Sequence, residues 1–292
     1  MANLKDIRRR ISSVKSTRQT TRAMKMVAAA KLRRSQEAIV NARPYAQKID
    51  EVVGKIAATK RVDSKFFPHE KQESKRTKEM IVLITSDRGL CGGFNANISK
   101  KAFEYLESNK GQKDFTIVCV GRKGADFLKR RGYDVQETVL NLVKEMSFEY
   151  TRGFSEKLIN DYFDNQYDEL IMFYNVFKSA LSQVPTQQTI LPIQPKEELW
   201  AESAASYSKD YIYEPQPQLI VDQLLEKSIV MQFYKGFSES LASEHGARMN
   251  AMENATNNAG DIIRDLTLTY NNLRQAAITR ELIEITSGAE AL

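Results

Sequence analysis

The sequence predicts a mixed α/β protein: a long antiparallel coiled coil formed by N- and C-terminal helices, with an α/β sheet domain inserted between them. Three observations carry this. Apolar residues recur at spacings of three and four at both ends of the chain, proline and glycine are sparse there, and short apolar runs alternate with amphipathic stretches in the middle. The boundaries expected are a helix over 1–58, a linker over 59–78, a sheet domain over 79–195, a second linker over 196–217 and a helix over 218–292.

From Asn3 to Ala58 there is one proline, Pro44, and one glycine, Gly54, and Leu4, Ile7, Ile11 and Val14 mark a narrow seam. A seam of that width suits a coiled coil better than a core-facing helix. At 1.5 Å per residue the helix would reach about 80 Å, far more than a small domain is wide. The other end mirrors it. From Gln218 to Ser287 proline is absent, and Ala242, His245, Met249 and Met252 begin a three-four alternation that runs through Ile263, Leu266, Tyr270 and Ala277. The tip then shifts register to Ile278, Leu282 and Ile285. Two such helices hide their seams most simply by pairing with each other.

Between them, strands are expected at Met80 to Thr85, Phe115 to Val120, Leu170 to Phe177 and Thr189 to Ile193. Helices are expected at Asn97 to Asn109, Lys123 to Arg131 and Phe148 to Asn165. Apolar strands separated by helices indicate a sheet covered on both faces. The charged stretch from Arg61 to Thr77, which carries Pro68, and the polar stretch from Lys196 to Pro217 read as linkers.

The chain of 292 residues is 42% hydrophobic and 27% charged, enough to bury a sizeable core. No run of about 18 apolar residues and no apolar signal core is present, which predicts a soluble or peripheral, cytosolic protein. Cys91 and Cys119 lack metal-ligand spacing and are expected to be reduced and buried. Charge is uneven: Met1 to Arg34 holds eleven basic residues against the single acid Asp6, leaving the remainder at about −4 on a total of +6. Such a stripe calls for an anionic partner, whether nucleic acid, membrane headgroups or an acidic protein surface.

The stretch TSDRGLCGGFNANI, residues 85–98, sits between an expected strand and an expected helix, where a phosphate loop belongs. Its spacing does not fit one. Five residues after Gly89 stands Phe94, so the Walker pattern fails, and Cys91 occupies the place of the second glycine in G-x-G-x-x-G. Asp87, Asn95 and Asn97 suit a direction-reversing turn and a helix cap, so the stretch reads as a structural or docking turn. Gly121-Arg122-Lys123-Gly124 matches the G-x-x-G loop of KH domains only weakly, because it follows a strand. His69 and His245 lack ligand or triad spacing, and Asp168 and Glu169 read as the end of an element. No active site emerges.

The stretch from Ala23 to Leu32 is apolar around most of its circumference and must be enclosed by protein. A coiled coil packed on alanine would satisfy it, and so would a second chain around the rod. The apolar tip with Ile278, Leu282, Ile283 and Ile285 favours the second chain.

Taken together, MKMVAAAKLRRSQ, SDRGLCGGFN, LSQVPTQQTILP and RQAAITRELIEITSGAEAL resemble the γ subunit family of the F-type ATP synthase, end to end and in order. The resemblance implies a bacterial-type central rotor shaft with a Rossmann-like inserted domain. It implies a noncatalytic subunit, with no cofactor or metal of its own, that couples transmembrane proton flow to ATP synthesis and hydrolysis. The implied partners are three α and three β subunits, the ε subunit and the c-subunit ring, with membrane contact only through that ring and no nucleic acid. The implied location is the cytoplasmic side of the inner (plasma) membrane, as a peripheral protein. By position, rotor–stator contacts would fall on Arg22, Met24, Lys25, Arg274, Gln275, Thr279 and Glu284. Arg22, Met24 and Lys25 would face an acidic loop of β. Docking in the lower stalk would fall on Asp87, Arg88, Gly89, Cys91, Gly92 and Gly93. The paired-cysteine insertion of the chloroplast form is absent, and no transit segment precedes Met1, which points to a bacterial protein.

Two other classes compete. A nucleic-acid-binding coiled coil would use the basic arm, but Tyr45 is its only nearby aromatic for base stacking. A nucleotide-dependent enzyme would use the sheet domain, against the broken glycine spacing.

Overall fold

The computed structural model describes residues 4–58, 64–68, 76–141, 147–193 and 217–290. The chain divides into two compact units, one of residues 1–29 with 248–292 and one of residues 30–247. Two long helices run through both: α1, Leu4–Ala58, and the last helix, Pro217–Glu290. The strand and helix types expected from periodicity are present. The elements between the long helices are β1 (Thr77–Ile84), α2 (Phe94–Ser108), β2 (Lys113–Val120), α3 (Arg122–Lys129), β3 (Glu137–Val139), α4 (Phe148–Asp164), β4 (Glu169–Phe177) and β5 (Gln183–Leu191), so the last helix is α5.

In the unit of residues 30–247 the sheet has the order β3-β2-β1-β4-β5. The first four strands are parallel and β5 is antiparallel to β4. Alternate residues of β1 enter opposite cores, as the period of two requires. Met80, Val82 and Ile84 join Leu158 and Ile159 of α4 and Val221, Leu225, Ile229, Phe233 and Phe237 of α5. Ile81 and Leu83 join Ile98, Ala102 and Leu106 of α2 and Leu128 of α3. The early half of α5 is therefore a core helix, with Phe233 and Phe237 fully buried and edge-on or tilted against Phe154 at 5.8 and 5.4 Å.

Three features differ from the sequence reading. β3 has only three residues and no apolar run to announce it. β5 starts six residues earlier than expected, because Pro185 and the glutamines disguise an edge strand, where a missing N–H is tolerated. Within the stretch read as the first linker, Phe66 is 2% exposed and packs on Phe163 at 5.4 Å, and its carbonyl accepts from Ile193 N–H. Residues 59–63, 69–75 and 194–216, which include His69 and most of the second linker, lie outside the described residues.

In the unit of residues 1–29 and 248–292, α1 and α5 are antiparallel neighbours. Thr21 meets Thr256, and Lys25 meets Glu253. Carried on residue for residue, this register places Leu4 opposite about Arg274. Beyond it α5 continues to Glu290 without a partner among the described residues, a length of about 24 Å.

Candidate functional site

The carboxyl edge of a parallel sheet is where such folds hold ligands, in the crevice beside the strand at which the order reverses, here β1. The glycine turn after β1 lies at this edge. Helix α3 opens beside it after Gly121, and its first three N–H groups would be the donors for a phosphate. All three are already used. Arg122 N–H donates to Asp87 Oδ1 at 3.2 Å, Lys123 N–H to the Ser86 carbonyl at 3.1 Å, and Gly124 N–H to Thr85 Oγ1 at 2.9 Å. The second oxygen of Asp87 accepts from Asn141 N–H at 2.9 Å, so one carboxylate ties together the turns that follow β1, β2 and β3.

The turn is locked from within as well. Ser86 N–H donates to Asn95 Oδ1 at 2.9 Å, Ser86 Oγ donates to the Arg88 carbonyl at 2.6 Å, and Asn95 Nδ2 lies 3.1 Å from Cys91 Sγ. Asn95 thus folds back onto Ser86 and does not cap α2, whose N-cap is Gly93 without a side-chain bond. Leu90 is held at φ 63° and is 65% exposed, while Cys91 is buried against Phe94 and Ala247 of α5. Ser240, Leu241 and Glu244 of α5 cover the crevice above Thr85 and Gly121, leaving a cavity of about 10 Å³, room for about one water. Asp87 is half-buried, Gly92 and Gly93 are exposed, and both cysteines are buried without a disulfide.

The other predicted residues lie on the two-helix unit. Arg22 is exposed, and Met24 and Lys25 are half-buried. Lys25 donates to Glu253 Oε1 at 2.6 Å, so its charge is partnered by the adjacent helix. Lys15, Arg18, Gln19 and Arg22 line an open groove with Ile263 as its apolar wall. Among the described residues no ion pair engages Lys15, Arg18 or Arg22. Met26 and Val27 are 61% and 57% exposed on α1. Arg274, Gln275, Thr279 and Glu284 are all exposed on the unpartnered end of α5, where Ile278, Leu282, Ile283 and Ile285 are 47–68% exposed. The ends of the site are thus a basic, partly apolar stretch of α1 and an apolar tip of α5.

The remaining candidates are structural. His245 is 4% exposed in α5, and Asp168 Oδ2 accepts from Lys78 N–H at 2.7 Å, pinning the start of β4 to β1. Among the described residues no group of three or more His, Cys, Asp or Glu is placed to hold a metal, and no helix is long and apolar enough to cross a membrane. Sequence reasoning missed Glu253, and it read Asn95 as part of a turn and helix cap, whereas Asn95 bonds back to Ser86. Glu253 and Thr256 sit where α5 carries its seam, but nothing local says which residue of α1 each would meet.

Comparison with known proteins agrees with this architecture. The profile of a family described as ATP synthase matches residues 3–292. A protein named ATP synthase gamma chain from Bdellovibrio bacteriovorus is 49% identical over 298 residues, covering 100% of this chain and 99% of the relative. One of the same name from Geobacter sp. is 46% identical with the same coverage. Among solved structures, a chain of the Tetrahymena thermophila mitochondrial ATP synthase central stalk and c-ring aligns with a TM-score of 0.61 at 27% identity, over 81% of this chain and 99% of that one. A chain of the Euglena gracilis mitochondrial ATP synthase shares the fold, with a TM-score of 0.67 at 24% identity over 99% and 94%. With its terminal helices, inserted sheet and sequence matched from end to end, the chain belongs to the ATP synthase gamma chain family.

Proposed function

We propose that this protein is the noncatalytic rotor shaft of an F-type ATP synthase, coupling transmembrane ion flow to ATP synthesis and hydrolysis. The observation that carries the reading is the end of α5: it outruns its partner helix and exposes a row of isoleucines and leucines to water. A row of this kind needs a surrounding apolar sleeve. The sleeve would be the upper bearing of a ring of three α and three β subunits, with Thr279 and Glu284 inside it. Arg274 and Gln275 would meet a loop of the catalytic subunits just below. The unpaired cations Lys15, Arg18 and Arg22, with Met24 beside them, would face an acidic lever of β. The closed glycine turn from Asp87 to Gly93 would dock to ε and the c ring, with Leu90 as its exposed knob. The chain would then be peripheral on the cytoplasmic side of the membrane.

Coupling follows from asymmetry. A rod with cations on one side contacts three equivalent subunits unequally, so each orientation favours a different set of site conformations by its differential contact energy. Exposed charge pairs contribute about 0–1 kcal/mol each, so torque is shared over many contacts. The test is co-purification of a tagged chain from its own cells. One copy with three each of two nucleotide-binding subunits is expected. Recovery alone, or with nucleic acid released by salt, would overturn the reading.

A further inference from the structure

The seam that joins α1 to α5 near residues 18–28 is built from small side chains. Ala28 is 2% and Ala259 5% exposed, and Thr21 is 9% exposed. Small residues let helices approach closely, but they interdigitate little, so one helix can slide along the other with small loss of packing. The contacts that do specify register are polar and fall on successive turns. Arg18 lies alongside Gly260, where a Cβ would sit in ordinary van der Waals contact, 3.7 Å from Arg18 Cζ. Next, the Thr21 and Thr256 hydroxyls are 2.7 Å apart, and Lys25 Nζ then lies 2.6 Å from Glu253 Oε1. Each threonine also reaches a carbonyl of its own helix, Arg18 O at 3.0 Å and Met252 O at 2.7 Å. One hydroxyl hydrogen therefore closes the bridge while the other is returned to its helix.

We propose that Lys25 is a positioning residue that acts through Glu253. The pair, with the threonine bridge one turn away, locks the register of α1 against α5, so that the two helices turn as one body. The charge of Lys25 is thereby spent inside the shaft, and attraction to an acidic lever falls to Lys15, Arg18 and Arg22. This rests on the rotor reading. A pair with side chains 37% and 45% exposed adds little to stability, so its worth is geometric. A partner-facing lysine would not need a glutamate at that place on α5, nor a hydroxyl bridge beside it.

The experiment is a charge swap in the assembled, membrane-bound complex, reading the ratio of ATP-driven ion pumping to ATP hydrolysis. Lys25→Glu and Glu253→Lys each place like charges together and are expected to lower that ratio by about threefold to fivefold, the scale of one exposed pair. The double variant Lys25→Glu/Glu253→Lys restores the pair in reverse and is expected to return to the unmutated ratio. If the double variant stays as defective as Lys25→Glu alone, Lys25 meets a charge outside the shaft and the proposal is overturned. Single variants that couple normally overturn it equally. Helical melting of the full-length variant chains checks folding. Failure of the unmutated chain to co-purify with nucleotide-binding subunits would refute the rotor reading itself, separately from the swap.

Discussion

Gly121 illustrates how tightly the carboxyl edge is closed. Its φ is 101°, and an added Cβ would stand 2.2 Å from the Thr85 carbonyl oxygen, a backbone atom that cannot move aside. Gly121→Ala is therefore expected to destabilise the sheet unit by about 3 kcal/mol or more, read as a lower urea midpoint with unchanged slope. A second residue-scale prediction concerns alkali. Burial pushes the Tyr105 hydroxyl up to about 12; its bond with Lys113 pulls the other way and its bond to Glu79 adds to the rise. Burial lowers the Lys113 ammonium, but its hydrogen bonds to Glu79 and Tyr105 outweigh that and hold it above its ordinary value. Both groups bind their protons more tightly folded than unfolded. Their contribution is complete below the unfolded value of about 10 and is lost as pH climbs through the folded ones. Stability should fall between about pH 10 and 12, and Tyr105→Phe should flatten that fall. An equally steep decline in Tyr105→Phe would assign the loss to the other buried groups, such as Tyr162 and Tyr174, which burial also raises to about 12.

Among the elements, α5 changes character along its length. Its early part packs Val221, Leu225, Ile229, Phe233 and Phe237 into the sheet core, whereas residues 278–287 are exposed. Replacing Arg274 and Gln275 together by alanine removes exposed side chains and should shift chain stability by no more than about 0.5 kcal/mol. It should still lower both ATP synthesis and hydrolysis several-fold in the complex. Unfolding of the sheet unit in this variant would count against a contact role. Met24→Lys sets a second cation beside Lys25 on a half-buried position of α1. It should impair coupling more than assembly, and loss of complex with normal coupling in what remains would contradict the placement of Met24 against the stator.

For the whole molecule, the contrast between a doubly covered sheet and a bare helix end predicts uneven local stability. Amides of β1 and β4 should exchange only on global unfolding, while those of α5 beyond about Arg274 should exchange fast in the isolated chain. Helix ends without tertiary packing are marginal in water. If the tip enters a sleeve, those same amides become protected in the assembled complex. Equal exchange in both states would leave the tip without a partner.

Much of this was legible from residues alone. The two long helices follow from spacings of three and four with little proline or glycine, and β1, β2 and β4 from apolar runs, because periodicity is a local property. The failed spacing of Gly89, Gly92 and Gly93 already argued against a phosphate loop. β3, the first half of β5 and the burial of Phe66 were not legible, since an edge position or a tertiary contact, and no local pattern, creates them. The sequence could place Asp87 in a turn, but only the fold brings it to Arg122 and Asn141. It could also align a basic stripe on α1, yet only the fold sets Lys25 against Glu253. Sequence alone determined the long helices, the apolar strands β1, β2 and β4, and the family. Tertiary structure decided which N–H groups and charges are already satisfied, because satisfaction is a relation between groups far apart in the chain.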